Sequence, residues 1–175
     1  FDVTAKKDVE EQTKKRACEL AILNSLAQHL GKNLSQESVI NSALEHVNRA
    51  MDPDLCIIFT REGNNLLLQK QLSRSGVLIS DEKALHHTGE CLCGLSISEE
   101  KTIYSSDILT DPRCVRTECK SAGIKSYAAA PLRSGNKIIG VLGIAYMKKR
   151  DLEELLPFLE AMAHEISSGL RNAML

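Results

Sequence analysis

Tryptophan is absent from this chain of 175 residues, and only 3% of the residues are aromatic. A core must therefore be built mainly from Leu, Ile, Val, Ala and Met, and a site that binds a large planar cofactor is disfavoured. Long apolar runs are lacking too, since none approaches the roughly 20 residues needed to span a bilayer. The formal net charge is −1, so neither sign is in excess. This balance argues against a general binder of nucleic acid or of anionic membranes.

The N-terminal segment lacks both an export signal and an initiator methionine. Residues 1–7 are polar and contain no apolar signal-peptide core. We therefore expect a cytoplasmic fragment cut from a longer protein, without membrane contact of its own. The length suits one domain with its own core.

Helical periodicity is clear at both ends of the chain. We predict that residues 1–16 form a linker helix and that a compact domain spans residues 17–175. In the first helix, apolar residues recur at helical spacing at positions 17, 20, 23, 27 and 30. This stripe is typical of an ordinary packing helix or of a coiled coil that pairs two protomers, and we favour the second. The same period recurs from about residue 151 to the C-terminus.

Between these helices the sequence predicts another helix and several strands. A helix should begin after Leu34 with Ser35 as its N-cap and end at Asp52-Pro53. Strands are predicted at residues 55–60, from 66, at 126–132 and at 137–146, with hairpin turns between them. Gly140, Gly143 and Ala145 should leave room for a neighbouring group. Helices at both ends of an antiparallel sheet make an α+β domain.

Several of these stretches resemble one family. The segment Ser-Tyr-Ala-Ala-Ala-Pro-Leu (126–132), a Ser-Gly-Asn turn and Ile-Gly-Val-Leu-Gly (139–143) resemble the closing hairpin of GAF domains. Gly-Glu-Cys-Leu-Cys-Gly-Leu (89–95) resembles the short helix that lines their ligand cavity, and residues 166–173 are similar to their terminal helix. The resemblance implies a GAF-like α+β fold, with a central antiparallel sheet, flanking N- and C-terminal helices on one face and a cavity on the other.

Residues 1–11 look like the end of a PAS domain that runs into a linker helix. That resemblance implies a PAS–GAF tandem of the kind found in sensor histidine kinases of two-component systems. We therefore expect a sensory domain that is not itself an enzyme, in a parent protein that is a histidine kinase. The domain should form a homodimer through its terminal helices.

Residues 73–122 have the weakest periodicity, and a long structureless stretch inside a compact domain is usually functional. The stretch holds a C-x-C pair, Cys91 and Cys93, and a C-x4-C pair, Cys114 and Cys119. Four thiolates are the usual ligands of a structural zinc ion or an iron–sulfur cluster. Redox-active thiols and plain packing are the alternatives. The sequence does not decide whether the four thiols converge.

The remaining candidate ligands are weaker. His86 and His87 stand just before the first pair and could ligate a metal or a haem iron, although we favour an exposed loop pair. Cys18 and Cys56 lie in apolar surroundings and are expected to be structural.

Two other functions stay open. Free methionine-(R)-sulfoxide reductase is also a GAF fold, and Cys93 and Cys119 stand near the cysteines of that family. The resemblance implies acidic side chains for the substrate's ammonium group, where this chain has Tyr127, Gly143 and Ala145. A domain with an empty cavity, which serves only as a dimerisation spacer, is the other alternative.

Overall fold

A computed structural model describes residues 3–32, 35–74, 76, 78 and 85–174. Phe1 and Asp2, part of the stretch that resembles a PAS domain, lie outside the described residues, as does Leu34. The helices are α1 (Val3–Lys32), α2 (Gln36–Met51), α3 (Cys91–Ser98), α4 (Glu118–Ser121) and α5 (Leu156–Met174), the last preceded by a 3-10 turn at Glu153–Leu155. The strands are β1 (Leu55–Glu62), β2 (Asn65–Ser73), β3 (Leu85–His87), β4 (Ile103–Ser105), β5 (Ser126–Ser134) and β6 (Lys137–Tyr146).

The six strands form one sheet in the order β3-β2-β1-β6-β5-β4, and every neighbouring pair is antiparallel. Two hairpins, β1–β2 and β5–β6, are joined side by side through β1 and β6. The α+β class and the central antiparallel sheet are therefore confirmed.

The predicted ends of α2 are also confirmed. The backbone N–H of Ser38 donates to the Ser35 hydroxyl at 3.2 Å, which caps the first turn. At the other end Asp52 takes a left-handed φ of 46° and its N–H donates to Asn48. Pro53 follows and cannot continue the helix.

Strand alternation divides the core into two layers. On β1, Cys56 and Ile58 point to the side covered by α1, α2 and α5, whereas Ile57 and Phe59 point to the side of α3. Because successive side chains of a strand point to opposite faces, each central strand serves both layers. Helices therefore cover one face, as expected, and the other face is left for α3 and the loops around it.

The apolar stripe on α1 is covered only in part. Leu26 and Leu30 are buried, but Leu20 is 60% exposed and Val9 is 64% exposed. Within one chain, α1 meets α2 and α5 only near its C-terminal end, so the coiled coil that we favoured for this stripe stays a prediction. Cys18 lies on the exposed part, so its predicted structural role is wrong, whereas Cys56 is buried as expected. Among the described residues, no helix is long and apolar enough to cross a membrane.

The room predicted beside the β6 glycines is filled by the protein itself. A Cβ on Gly143 would lie 2.0 Å from the Tyr127 hydroxyl oxygen, and one on Gly140 would lie 2.2 Å from the Phe59 carbonyl oxygen. Both contacts are far inside van der Waals distance. The glycines therefore let β6 accept close neighbours, and Tyr127 uses the space at Gly143.

We expect Gly140→Ala to lower the free energy of unfolding by about 1–3 kcal/mol, since the added methyl group must displace backbone. Gly31→Ala is the matched control, because no atom lies within 4 Å of its Cβ position in α1. In a helix, that change should raise stability by up to about 1 kcal/mol. Urea unfolding measures both variants, and equal stabilities would contradict the packing described here.

Candidate functional site

The first pair of thiols is placed by the start of α3. Glu90 is extended, and Cys91, the first residue of the helix, has a positive φ of 55°. Gly94 allows this turn to pack closely, because a Cβ there would lie 2.4 Å from the carbonyl oxygen of His87. The Cys-x-Cys-Gly sequence therefore has a local reason: the glycine lets the helix sit against the preceding turn.

The second pair is placed by the segment between β4 and β5. Arg113 is fixed by Asp111 and by the carbonyl oxygen of Tyr104 at 2.7 Å, and the N–H of Cys114 donates to the Asp111 carbonyl at 3.1 Å. The Arg113 guanidinium also holds the pKa of the Asp111 carboxyl well below its usual range. Cys119 lies on α4. The segment between β4 and β5 is therefore held in a defined conformation, although its sequence shows little periodicity.

All four predicted cysteines line one cavity of about 30 Å³. The other lining residues come from β1, α3, β5 and the segment before β5: Phe59, Leu92, Ile108, Arg116, Glu118 and Tyr127. A cavity needs roughly 10–15 Å³ to hold one water molecule, so this one has room for an ion or for very few atoms. The structure thus brings the four thiols to one cavity, whereas the sequence placed them only in the same region of the chain.

Three of the thiols are held in the neutral form. Burial raises the pKa of Cys93 to about 12 and that of Cys114 to about 11, and burial also raises the pKa of Cys119. Cys93 lies 3.0 Å from the Tyr127 hydroxyl, a buried hydrogen bond in which either group can donate. Burial raises the pKa of Tyr127 as well. This part of the cavity is therefore uncharged at neutral pH.

Cys91 has different surroundings. Its side chain is only partly buried, and its Sγ accepts a hydrogen bond from the backbone N–H of Arg116 at 3.2 Å. The Arg116 guanidinium contacts Glu90 at 3.4 Å and Glu118 at 3.0 Å beside it. The sequence analysis missed Arg116, although its place between Cys114 and Cys119 is a signal that it faces the same site.

The predicted metal ligands do not form a ready coordination site. Among the residues that the structure describes, no group of three or more His, Cys, Asp or Glu side chains is arranged to hold a metal ion. All six cysteines are free thiols. The thiols share a cavity without surrounding a common point, so a zinc ion or a cluster stays a prediction that requires their rearrangement.

The two histidines stand apart from the thiols. His87 is exposed on β3, and its Nδ1 lies 2.9 Å from the Asn65 side-chain oxygen. It does not line the cysteine cavity. The backbone of His86 belongs to β3, but its side chain lies outside the described part of the chain. The exposed position of His87 agrees with the alternative that we favoured.

A sheet with terminal helices on one face and a small cavity on the other defines a GAF fold. The sequence profile of the GAF domain matches residues 33–171, and the chain belongs to this family. No curated protein sequence matches it significantly.

Solved structures show the same fold. The GAF domain of an Acinetobacter phosphoenolpyruvate-protein phosphotransferase is 20% identical, with a TM-score of 0.73, over 90% of this chain and 95% of that one. The free methionine-R-sulfoxide reductase of Neisseria meningitidis in complex with its substrate is 16% identical, with a TM-score of 0.76, over 91% and 92%. The Staphylococcus aureus fRMsr in its reduced form is 19% identical, with a TM-score of 0.73, over 87% and 94%.

These comparisons correct one prediction. We expected a domain that is not an enzyme, but free methionine-R-sulfoxide reductases are among the similar structures. The fold is thus one on which enzymes are built, and the low identities show the fold alone. Membership of the family gives no ground for excluding catalysis.

The burial of the thiols predicts their order of reactivity. The thiolate is the reactive form, so at pH 8 we expect Cys56, Cys93 and Cys114 to react with a disulfide reagent at least about a hundredfold more slowly than Cys18. The pKa of Cys56 is raised to about 12 by burial, whereas Cys18 is exposed. Unfolded protein, in which all six should react together, is the control. Equal rates in the folded chain would contradict the burial.

Proposed function

We propose that this GAF domain is a sensory module of a signalling protein and that it responds through the thiols of its cavity to a small oxidant, ion or ligand. The observation that supports this function is that Cys91, Cys93, Cys114 and Cys119 line a single cavity. Thiols that share one cavity can exchange, oxidise or bind a soft metal ion, which are the responses that this function requires.

The size of the cavity narrows the class of signal. A volume of about 30 Å³ suits a metal ion, a peroxide or a molecule of similar size. Haem and iron–sulfur clusters are much larger and would need the walls to move apart. The scarcity of aromatic residues also disfavours haem as the ligand.

Strand β5 supplies a route from the cavity to the terminal helices. Tyr127 and Ala129 face the cavity layer, whereas Ala128 and Ala130 face the helical layer. Helix α5 packs on β5, and α1 packs on α5. Because tightly packed layers shift together rather than deform, a displacement of Tyr127 would be felt at α5.

We expect the output to pass through a homodimer. The N-terminal part of α1 presents Val3, Val9 and Leu20 to solvent, and Met174 is exposed on α5. A second copy that packs its own α1 along this stripe would bury these side chains. Sedimentation equilibrium should show a dimer that Leu20→Arg weakens, and a monomeric unsubstituted chain would contradict this expectation.

The resemblance of residues 1–11 to the end of a PAS domain favours a sensor histidine kinase as the full-length protein.

Hydrogen exchange tests the proposed response. Mild oxidation of the thiols, or addition of zinc, should change amide exchange in α3 and β5 and also in α5. The control is the chain with Cys91, Cys93, Cys114 and Cys119 replaced by Ser, checked for folding by circular dichroism, in which no change should occur. If amide exchange in the parent chain also stays unchanged under every treatment, a sensory role for the cavity is contradicted.

A second candidate is reduction of free methionine-(R)-sulfoxide. It is favoured by one observation: Cys93 and Cys119, the cysteines that resemble those of the reductases, both line the cavity. Against it, Tyr127 stands where an acidic partner for the ammonium group is expected, and the cavity is too small for the substrate as it stands.

A turnover assay decides this candidate. Free methionine-(R)-sulfoxide is supplied with a thiol reductant, and free methionine is measured as the product. Turnover that is lost on Cys93→Ser, and kept on Cys18→Ser, would establish the enzyme. Absence of product from the folded parent chain, even in a single turnover, would eliminate it.

A further inference from the structure

Among the four cavity thiols, Cys91 is set apart by its surroundings. Cys93 and Cys114 are 6% and 8% exposed, and Cys119 packs against the apolar layer on the cavity side. Cys91 and Cys119 are both partly buried, but Cys91 does not belong to that apolar layer. Of the two partly buried thiols, Cys91 is therefore the one that lies outside the apolar packing.

Two features place N–H groups near the Cys91 sulfur. Its Sγ accepts the Arg116 N–H at 3.2 Å. It is also the first residue of α3, where the unpaired N–H groups of the first turn carry partial positive charge. The Cys91 sulfur therefore has polar neighbours, whereas Cys119 packs against apolar side chains.

The backbone segment that contacts Cys91 also carries a second thiol. Cys114 lies two residues before Arg116, and the N–H of Val115 is fixed to the Arg113 carbonyl at 3.1 Å. Both thiols line the same cavity. They lie on segments that touch through the hydrogen bond from the Arg116 N–H to the Cys91 sulfur.

We propose that Cys91 is the thiol that reacts with hydrogen peroxide and that Cys114 resolves the product as a disulfide. This inference rests on the proposed sensory function and deepens it, because it names the oxidant and the pair of thiols. A cavity of about 30 Å³ admits hydrogen peroxide and excludes a bulky organic hydroperoxide.

The chemistry balances in two steps. The Cys91 thiolate attacks one peroxide oxygen, the O–O bond breaks, and Cys91 sulfenic acid and hydroxide are formed; the hydroxide takes a proton to become water. The Cys114 thiol then attacks the Cys91 sulfur, the S–O bond breaks, and a second water leaves with the Cys114 proton. The net result is one disulfide and two waters per peroxide. The disulfide ties the start of α3 to the segment before β5, and a thiol reductant restores both thiols.

Peptide mapping tests the pairing directly. The chain with Cys18→Ser, which removes the exposed thiol, is treated with one equivalent of hydrogen peroxide, blocked with iodoacetamide and digested with trypsin without reduction. Cleavage after Arg113, Arg116 and Lys120 separates Cys114 from Cys119, since they fall in peptides 114–116 and 117–120. We expect peptide 114–116 to be joined to the peptide that carries Cys91 and Cys93.

Single replacements identify the reacting thiol. Cys91→Ser should slow peroxide consumption at least about tenfold and abolish the cross-linked peptide, whereas Cys56→Ser, in the helical layer, should retain both. In Cys114→Ser, the sulfenic acid should persist and be trapped on Cys91 by dimedone. Cumene hydroperoxide should react much more slowly than hydrogen peroxide with the parent chain.

The outcomes separate this inference from the proposed function. A cross-link to peptide 117–120, or peroxide consumption that Cys91→Ser leaves unchanged, would overturn the assignment of Cys91 and Cys114. If hydrogen exchange at α5 still responds to oxidation in Cys91→Ser, the sensory function stands without this pair. If neither α3 nor α5 responds in the parent chain, the sensory function itself fails. Thermal melts confirm that each variant is folded.

Discussion

The pairing of β6 between β1 and β5 is the constraint on which the rest of the structure depends. The central parts of these strands are buried on both faces, so their side chains face either the helices or the cavity. Leu142 and Ile144 belong to the helical layer, and Val141 and Ala145 belong to the cavity layer. A slip of one residue would exchange the two sets. The sheet is thus both the wall of the site and its mechanical link to the terminal helices.

Close approach at Gly143 completes the cavity. The Tyr127 ring can lie over β6 only because position 143 has no Cβ, and its hydroxyl then reaches Cys93 at 3.0 Å. The large ring and the buried thiols leave little free volume. The same fold accommodates a substrate in a reductase. In this chain, the ring and the thiols leave a cavity suited to only a few atoms. The cavity is therefore small, and its lining combines buried thiols with two that are partly exposed, Cys91 and Cys119.

The sequence predicts the parts of this fold that follow from local rules. The strand at residues 137–146, the Ser35 cap and the helix end at Asp52-Pro53 each depend on a few neighbouring residues, and all are found. The convergence of the cysteines was beyond such rules, because it depends on how α3 and the segment before β5 pack on the sheet. The role of Arg116 was missed for the same reason: its contact with Cys91 is made by backbone, which side-chain chemistry does not reveal. Periodicity likewise identifies the apolar face of α1 but not what covers it.

The central claim is that the four thiols share one site, and binding of a trivalent arsenical tests it most directly. Such a reagent bridges neighbouring thiols and is not retained by isolated ones. The chain with Cys18→Ser should bind one equivalent while it remains folded, and replacement of Cys91, Cys93, Cys114 and Cys119 should abolish binding. Failure of the folded chain to retain the arsenical, or equal retention by the variant without the cavity thiols, would contradict the account.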